Sequence, residues 1–265
     1  MYYEAWGLGD RRKSPAVYYH SLQIAHATST DGIHWTKDPA NPVIAHGPEL
    51  YDKSGAWDPF VLYEDGKFKL WYGAGSEEPG SPLCPWAYAE STDGWRFVKK
   101  GLIDTKANIP HVEDDKVVHD TNTGHYFMYY LNQIGLTLYR AESPDENHFD
   151  YSKSLPLHFK GFPPHGFPKY PQAFQVDGKW YMLFGRPGGG SVDDFTGLAT
   201  SPDGLNWTVK NAAVFPRAHD SALLKVADDL YLIFHGPNKQ QDEVGCDIRL
   251  AVFKGAFTDM LQPKK

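Results

Sequence analysis

The chain has 265 residues, a formal net charge of −7, 41% hydrophobic residues and 15% aromatics. That is enough apolar material for one large β domain or two smaller ones, and an acidic balance without a Lys/Arg-rich run argues against nucleic acid as a partner. The two cysteines, Cys84 and Cys246, lie far apart and form neither a disulfide framework nor a zinc motif, so both are expected as free thiols. No apolar run reaches membrane-spanning length, so no membrane partner is expected. Met1-Tyr2-Tyr3-Glu4 carries neither the basic nor the apolar region of a signal peptide, which leaves the cytoplasm, or secretion with a signal removed.

In chain order, "MYYEAWGLG" opens as a strand of the kind that returns in "KFKLWYGAG" from Lys67. The segment Ala27-Thr28-Ser29-Thr30-Asp31-Gly32 then makes a tight turn, followed by Trp35. The same marker returns at Ser91-Thr92-Asp93-Gly94 with Phe97, at Ser143-Pro144-Asp145-Glu146 with Phe149, and at Ser201-Pro202-Asp203-Gly204 with Trp207. In all four the aromatic lies four residues after the Asp. Ile248–Phe253 reads as a fifth copy without its turn. Ahead of these markers lie strand pairs starting at Trp57, Val112, Tyr170 and His219, each an apolar strand, a polar turn and an aromatic strand. A third strand is expected before each marker and a fourth after it.

The marker aspartates are separated by 62, 52 and 58 residues. That spacing fits four-stranded blades with long loops, and four matching turns at one offset favour a β-propeller over a β-sandwich. The expected fold is all-β: one five-bladed β-propeller with blades at about 1–44, 57–103, 112–157, 170–215 and 217–260. Because the chain opens on a second-strand pattern, the first blade lacks its innermost strand, and "FTDMLQPKK" is too short and polar to supply it. An exposed sheet edge of that kind would invite self-association into a homo-oligomer.

Inner strands of a propeller line a central channel, so acids at their starts converge although they are distant in sequence. Asp58 begins the inner strand of blade two, beside Trp57. Setting Val117-Val118 against Val61-Leu62 places Asp114 in register with Asp58, flanked by Glu113 and Asp115. Blade four has Tyr170-Pro171 at that place with His165 just ahead, and blade five has His219-Asp220. Clustered carboxylates suit glycoside hydrolysis, where one acid protonates the leaving oxygen and a carboxylate activates water or attacks. Like charges placed together also raise one pKa, which keeps an acid protonated near neutral pH.

Three loops add candidates. Gly185–Asp194 lacks the Lys-Ser/Thr ending of a phosphate loop, but Arg186 at its start could hold a substrate hydroxyl or carboxylate, or form a surface ion pair. Phe159–Pro171 is either a wall of a sugar site, with Phe162, His165 and Phe167, or a linker whose aromatics pack on the blades. Trp86 ends the loop from Ser76 and is read as the start of a third strand rather than a stacking platform.

The "A-x-S-x-D-G-x-x-W" turns, "GAWDP" before an apolar strand and the "KLWYGAG" type of second strand resemble the five-bladed β-propeller glycoside hydrolases, the broad group of families 43, 32, 62, 68, 117 and 130. The resemblance spans nearly the whole chain. It implies a carbohydrate substrate, with Asp58 as the acid that orients the site and tunes pKa. It further implies Glu113 as the proton donor, with Asp114 as the alternative. The blade-one base has no counterpart here, leaving Asp220 or a residue outside this chain for that role. Members similar to family 117 use a His as acid, which would bring in His111, His165 or His219. Trp57, His165, Tyr170, Arg186 and His219 are the substrate-binding candidates. No cofactor is required. Relatives often hold a calcium or sodium ion in the channel near a His, here His235 in "IFHGPN", although such ions prefer oxygen ligands. Two alternatives stand beside hydrolysis. One is a phosphorylase similar to family 130, with Arg186, Arg217 and Lys169 for phosphate; the other is a non-catalytic carbohydrate-binding propeller.

Overall fold

The computed structural model of the chain describes residues 1–6, 22–77, 84–103, 112–132, 134–163, 166–186, 195–216, 218–237 and 248–262. It divides into two compact units, residues 1–127 with 141–154, and residues 128–140 with 155–265. Among the described residues there is no α-helix, only strands, turns and short 3-10 helices. No helix there is long and apolar enough to cross a membrane.

The first unit opens with β1 (Tyr2–Trp6), β2 (Leu22–Thr28) and β3 (Thr36–Lys37), in the order β1-β2-β3. Next come β4 (Gly55–Glu64), β5 (Lys67–Gly75), β6 (Trp86–Ser91) and β7 (Val98–Leu102), a sheet in simple sequence order. β8 (Val112–Asp120), β9 (His125–Asn132), β10 (Thr137–Ser143) and β11 (Leu155–Pro156) make the third sheet, in the order β11-β10-β9-β8. The second unit contains β12 (His158–Lys160), β13 (Lys169–Val176), β14 (Lys179–Arg186), β15 (Phe195–Ser201) and β16 (Asn206–Pro216), in the order β12-β16-β15-β14-β13. It ends with β17 (Ala218–Ala227), β18 (Leu230–Pro237) and β19 (Arg249–Lys254), in that order.

Among the described residues there are five successive sheets, and the first has three strands. Two details differ from the four-strand expectation. The fourth sheet gains β12, which pairs in parallel with β16 from His158↔Asn206 to Lys160↔Thr208. The fifth stops at three strands: the degenerate copy at Ile248–Phe253 is largely β19, and the chain after it forms a 3-10 helix, Phe257–Leu261. That helix buries Phe257 and Met260 in a core cluster with Tyr181, Leu198 and Tyr231.

The turns form because Ser and Asp side chains hydrogen-bond their own backbone. Ser29 Oγ accepts from the N–H of Gly32 at 2.8 Å, and Asp31 Oδ1 accepts from Ile33 and His34, both at 2.8 Å. Ser91 with Asp93, and Ser201 with Asp203, repeat the pattern within 0.1 Å. Gly32, Gly94 and Gly204 take φ of 75°, 78° and 73°, the left-handed region that favours glycine. Each of three turns also receives a second-strand side chain from the preceding sheet. Tyr2 Oη donates to Gly94 O at 2.9 Å, Trp71 Nε1 to Glu146 O at 2.8 Å, and Tyr129 Oη to Gly204 O at 3.2 Å. The repeated turn is therefore a staple between neighbouring blades as well as a chain reversal.

The middle strands are covered on both faces, so they read as unbroken apolar runs instead of alternating ones. Leu70, Trp71, Tyr72 and Ala74 of β5 are fully buried. In the first unit Leu70, Tyr72 and Ala74 pack with Ile24, Ile44, Ala56, Ala87 and Ala89, while Trp71 on the opposite face lies against Tyr88 and Tyr126. In the second, Tyr181, Leu183, Leu198, Tyr231, Ile233, Phe257 and Met260 form the core. Trp86, at the start of β6, is 2% exposed and belongs to the interior. Phe162 packs edge-on against Phe159 and tilted against Phe184, at centroid distances of 5.9 and 5.5 Å.

Candidate active site

One defect is repeated in the first strand of three sheets. In β4 and β5, Trp57 faces Gly73 and Phe60 faces Trp71, so two residues, Asp58 and Pro59, lie opposite Tyr72 alone. In β13 and β14, Lys169 faces Gly185 and Gln172 faces Leu183, leaving Tyr170 and Pro171 opposite Phe184. In β17 and β18, His219 faces Gly236 and Ala222 faces Phe234, leaving Asp220 and Ser221 opposite His235. Each is a β-bulge with one extra residue, a device that bends a strand and re-aims a side chain. The first bulge residue is left-handed in all three: φ is 47° at Asp58, 52° at Tyr170 and 51° at Asp220. For a residue with a Cβ this conformation costs on the order of 1 kcal/mol, least for Asp and Asn. Pro at the second place loses no ladder bond, because a bulge residue has no partner.

Asp58 is half-buried, and its backbone N–H donates to Glu4 Oε1 at 2.8 Å. Glu4, on β1, escaped the reading of the sequence. Trp57 is 6% exposed, with its ring lying over Gly73; a Cβ there would collide with the indole. Glu113 and Asp114 lie on β8, near the start of a strand that packs beside β4. Their side chains fall outside the described structure, so the carboxylates described at this bulge are those of Glu4 and Asp58.

The second unit holds the other two bulges. Tyr170 lies against Gly185, where an added Cβ would meet its ring at 2.6 Å, and Lys169 Nζ sits 4.5 Å from the Tyr170 ring centroid. Asp220 is exposed, and beside it Ser221 Oγ and Thr196 Oγ1 share a buried 2.7 Å hydrogen bond. His235 Nδ1 lies 3.0 Å from the carbonyl oxygen of Gly236. Among the described residues no group of three or more His, Cys, Asp or Glu side chains could hold a metal ion. His219 and Arg186 are placed by their backbones alone, opposite Gly236 and Phe195. His111, His165 and Arg217 lie outside the described residues, as does Cys246; Cys84 is in no disulfide with a described residue.

The far end of β4 carries a different polar cluster. Lys69 Nζ, nearly buried, contacts Tyr126 Oη at 2.6 Å, Glu146 Oε1 at 3.2 Å and Glu64 Oε2 at 3.3 Å. Burial pulls the ammonium pKa down, but Tyr126 and Glu146 outweigh it and hold the group firmly protonated. Glu64 is also met by His119 Nδ1 at 2.9 Å, with the His ring stacked on Tyr126 at 4.4 Å. Every acid of this cluster is tied to a cation or a donor, and it reads as a clamp between sheets.

No family model matches the chain. A stretch of 112 residues, 40% of the chain, is 31% identical to a raffinose invertase of Escherichia coli, and it spans 23% of that protein's length. The structure is similar to a β-1,2-mannobiose phosphorylase from Listeria innocua, with TM-score 0.67 at 18% identity, covering 97% of this chain and 75% of the other. It is also similar to an endo-arabinase from Bacteroides thetaiotaomicron, with TM-score 0.68 at 15% identity, covering 89% of this chain and 88% of the other. At such identities the likeness establishes the fold: the five sheets are the blades of a five-bladed β-propeller.

Proposed function

We propose that the chain is a glycoside hydrolase that cleaves a glycosidic bond of an oligo- or polysaccharide by carboxylate acid/base catalysis. The observation that carries this reading is Asp58, fixed at a left-handed bulge with a second carboxylate, Glu4, on its N–H. The bulge takes the Asp58 side chain out of the regular alternation of the strand, a direction that a catalytic carboxylate can use. The similarity to an invertase and to an endo-arabinase supports a carbohydrate substrate. Asp58 orients the sugar and tunes its partners, while Glu113, or Asp114 beside it, gives its proton to the leaving oxygen. Asp220 is the candidate base that activates water.

The likeness to a mannobiose phosphorylase over 97% of the chain favours one second reading, in which phosphate attacks in place of water. One experiment separates them. The chain is assayed against aryl glycosides, raffinose, arabinan oligosaccharides and β-1,2-mannobiose, with and without inorganic phosphate, alongside Asp58→Asn and Glu113→Gln. Hydrolysis without phosphate that falls about 10²-fold or more in both variants supports the proposal. Turnover that requires phosphate replaces it with the phosphorylase. Sugar binding without turnover replaces it with a binding propeller.

A further inference from the structure

Counted from the repeated turn, Glu4 occupies a place that other sheets give to glycine. It pairs with Ile24, five residues before Ser29. Five residues before Ser91 stands Trp86, which pairs with Gly73; five before Ser201 stands Thr196, which pairs with Gly185. At both glycines an aromatic from the bulge of the neighbouring first strand fills the space of a Cβ, Trp57 in one sheet and Tyr170 in the other. In the first sheet the order is β1-β2-β3, and no described strand lies over Glu4 on that side. A long side chain fits there, and its carboxylate reaches across to the bulge of β4 to accept the Asp58 N–H at 2.8 Å.

This bond goes to the backbone N–H of the bulge residue itself, Asp58. The residue is held at φ 47°, and its N–H is committed to Glu4 and not to a strand partner. A charged acceptor makes a stronger bond than a neutral one and so holds the bulge in a single conformation. We propose that Glu4 is a positioning residue for Asp58: its carboxylate anchors the Asp58 amide and fixes the acid in its working orientation. The inference rests on the hydrolase reading for its consequence and on the hydrogen bond for its geometry.

Glu4→Gln keeps an acceptor oxygen at the same reach, whereas Glu4→Ala removes it. Two readouts are taken on each: hydrogen exchange of the Asp58 amide, and kcat and KM on the best substrate of the panel. The expected result for Glu4→Ala is Asp58 exchange at least about 10-fold faster and kcat at least about 10-fold lower, with KM within twofold, because orientation and not binding is lost. Glu4→Gln should stay within about threefold of wild type in both. Unchanged Asp58 exchange in Glu4→Ala overturns the proposal. So does faster exchange with undiminished kcat, which would make the bond purely structural. If Glu4→Ala does not fold, Glu4→Asp, one methylene too short to reach, takes its place. If wild type turns over no glycoside, the hydrolase reading fails, and the exchange experiment still decides whether Glu4 anchors Asp58.

Discussion

Gly73→Ala is the sharpest test of how the bulge is held. An added Cβ would collide with the Trp57 indole, a side chain only 6% exposed with no open space to retreat into. Overpacking of this kind costs about 1–3 kcal/mol, while replacing Gly by Ala inside a strand recovers about 0.5–1 kcal/mol of backbone entropy. The expected net loss is about 1–2 kcal/mol, read as a lower urea midpoint in circular dichroism with an unchanged slope. Trp57→Leu destabilises by itself but makes room for the new methyl. The double variant should therefore be more stable than the sum of the singles by about 1 kcal/mol. Because Trp57 adjoins Asp58, the Gly73→Ala protein should also lose activity on any substrate that Asp58 orients. A Gly73→Ala chain as stable as wild type, or strict additivity in the cycle, would refute the packing of Trp57 over Gly73.

Two further outcomes follow from the polar groups. Lys69→Met removes the cation that Glu64 and Glu146 share and leaves Glu64 to His119 and Tyr126; both acids are partly hydrated, with side-chain exposures of 21% and 27%, so the loss should sit at the low end for a broken buried pair, about 3 kcal/mol in urea unfolding. A loss under about 1 kcal/mol would mean that the clamp contributes nothing beyond its surface contacts. The turn carboxylates set the acid side of the stability curve. Backbone N–H groups of Arg96 and Trp95, with Ser91, hold Asp93 down to about 2, and His34 with its neighbours' amides holds Asp31 well below the usual range. A folded pKa below the unfolded value of about 3.9 gives stability that is full above that value and is lost as pH falls toward the folded one. Melting temperature should thus be flat above about pH 5 and drop between about pH 5 and 2. Asp93→Asn should flatten part of that drop, and an unaltered slope in this variant would contradict the assignment.

What the sequence discloses and what it conceals divide along the range of the interactions. The Ser-x-Asp-Gly turns are legible because every bond that makes them lies within three residues, as between Ser201, Asp203 and Asn206. The aromatic second strands are legible because burial on both faces leaves an unbroken apolar run, as in Leu70–Tyr72. The bulges are not, since an extra residue exists only relative to a partner strand; Asp58, Tyr170 and Asp220 share φ near 50°, and no single residue type marks all three places. Glu4 was hidden by a matter of register. Read in line with Lys67–Gly75, it falls on the core position of Leu70; counted from the turn, it falls on Gly73. An acid in an otherwise aromatic strand was the available signal, and a count back from Ser29 would have placed it.

The recurrence of one bulge at three places, with two residue types, also separates what the fold supplies from what the sequence adds. The left-handed residue is Asp in β4 and β17 but Tyr in β13. If the bulge existed to place an acid, Tyr170 would have no reason to occupy it, and a bulky aromatic pays more than Asp for a positive φ. The bulge is therefore a property of how the first strand enters each sheet, most plainly where an aromatic must lie over Gly73 or Gly185. Evolution of a site then requires only a change of side chain at a place whose direction the backbone already sets. On this argument Tyr170→Asp should be tolerated by the fold, since Asp accepts the left-handed region more readily. Its cost should be confined to the aromatic contact with Gly185, while Asp58→Tyr should fold and be inactive.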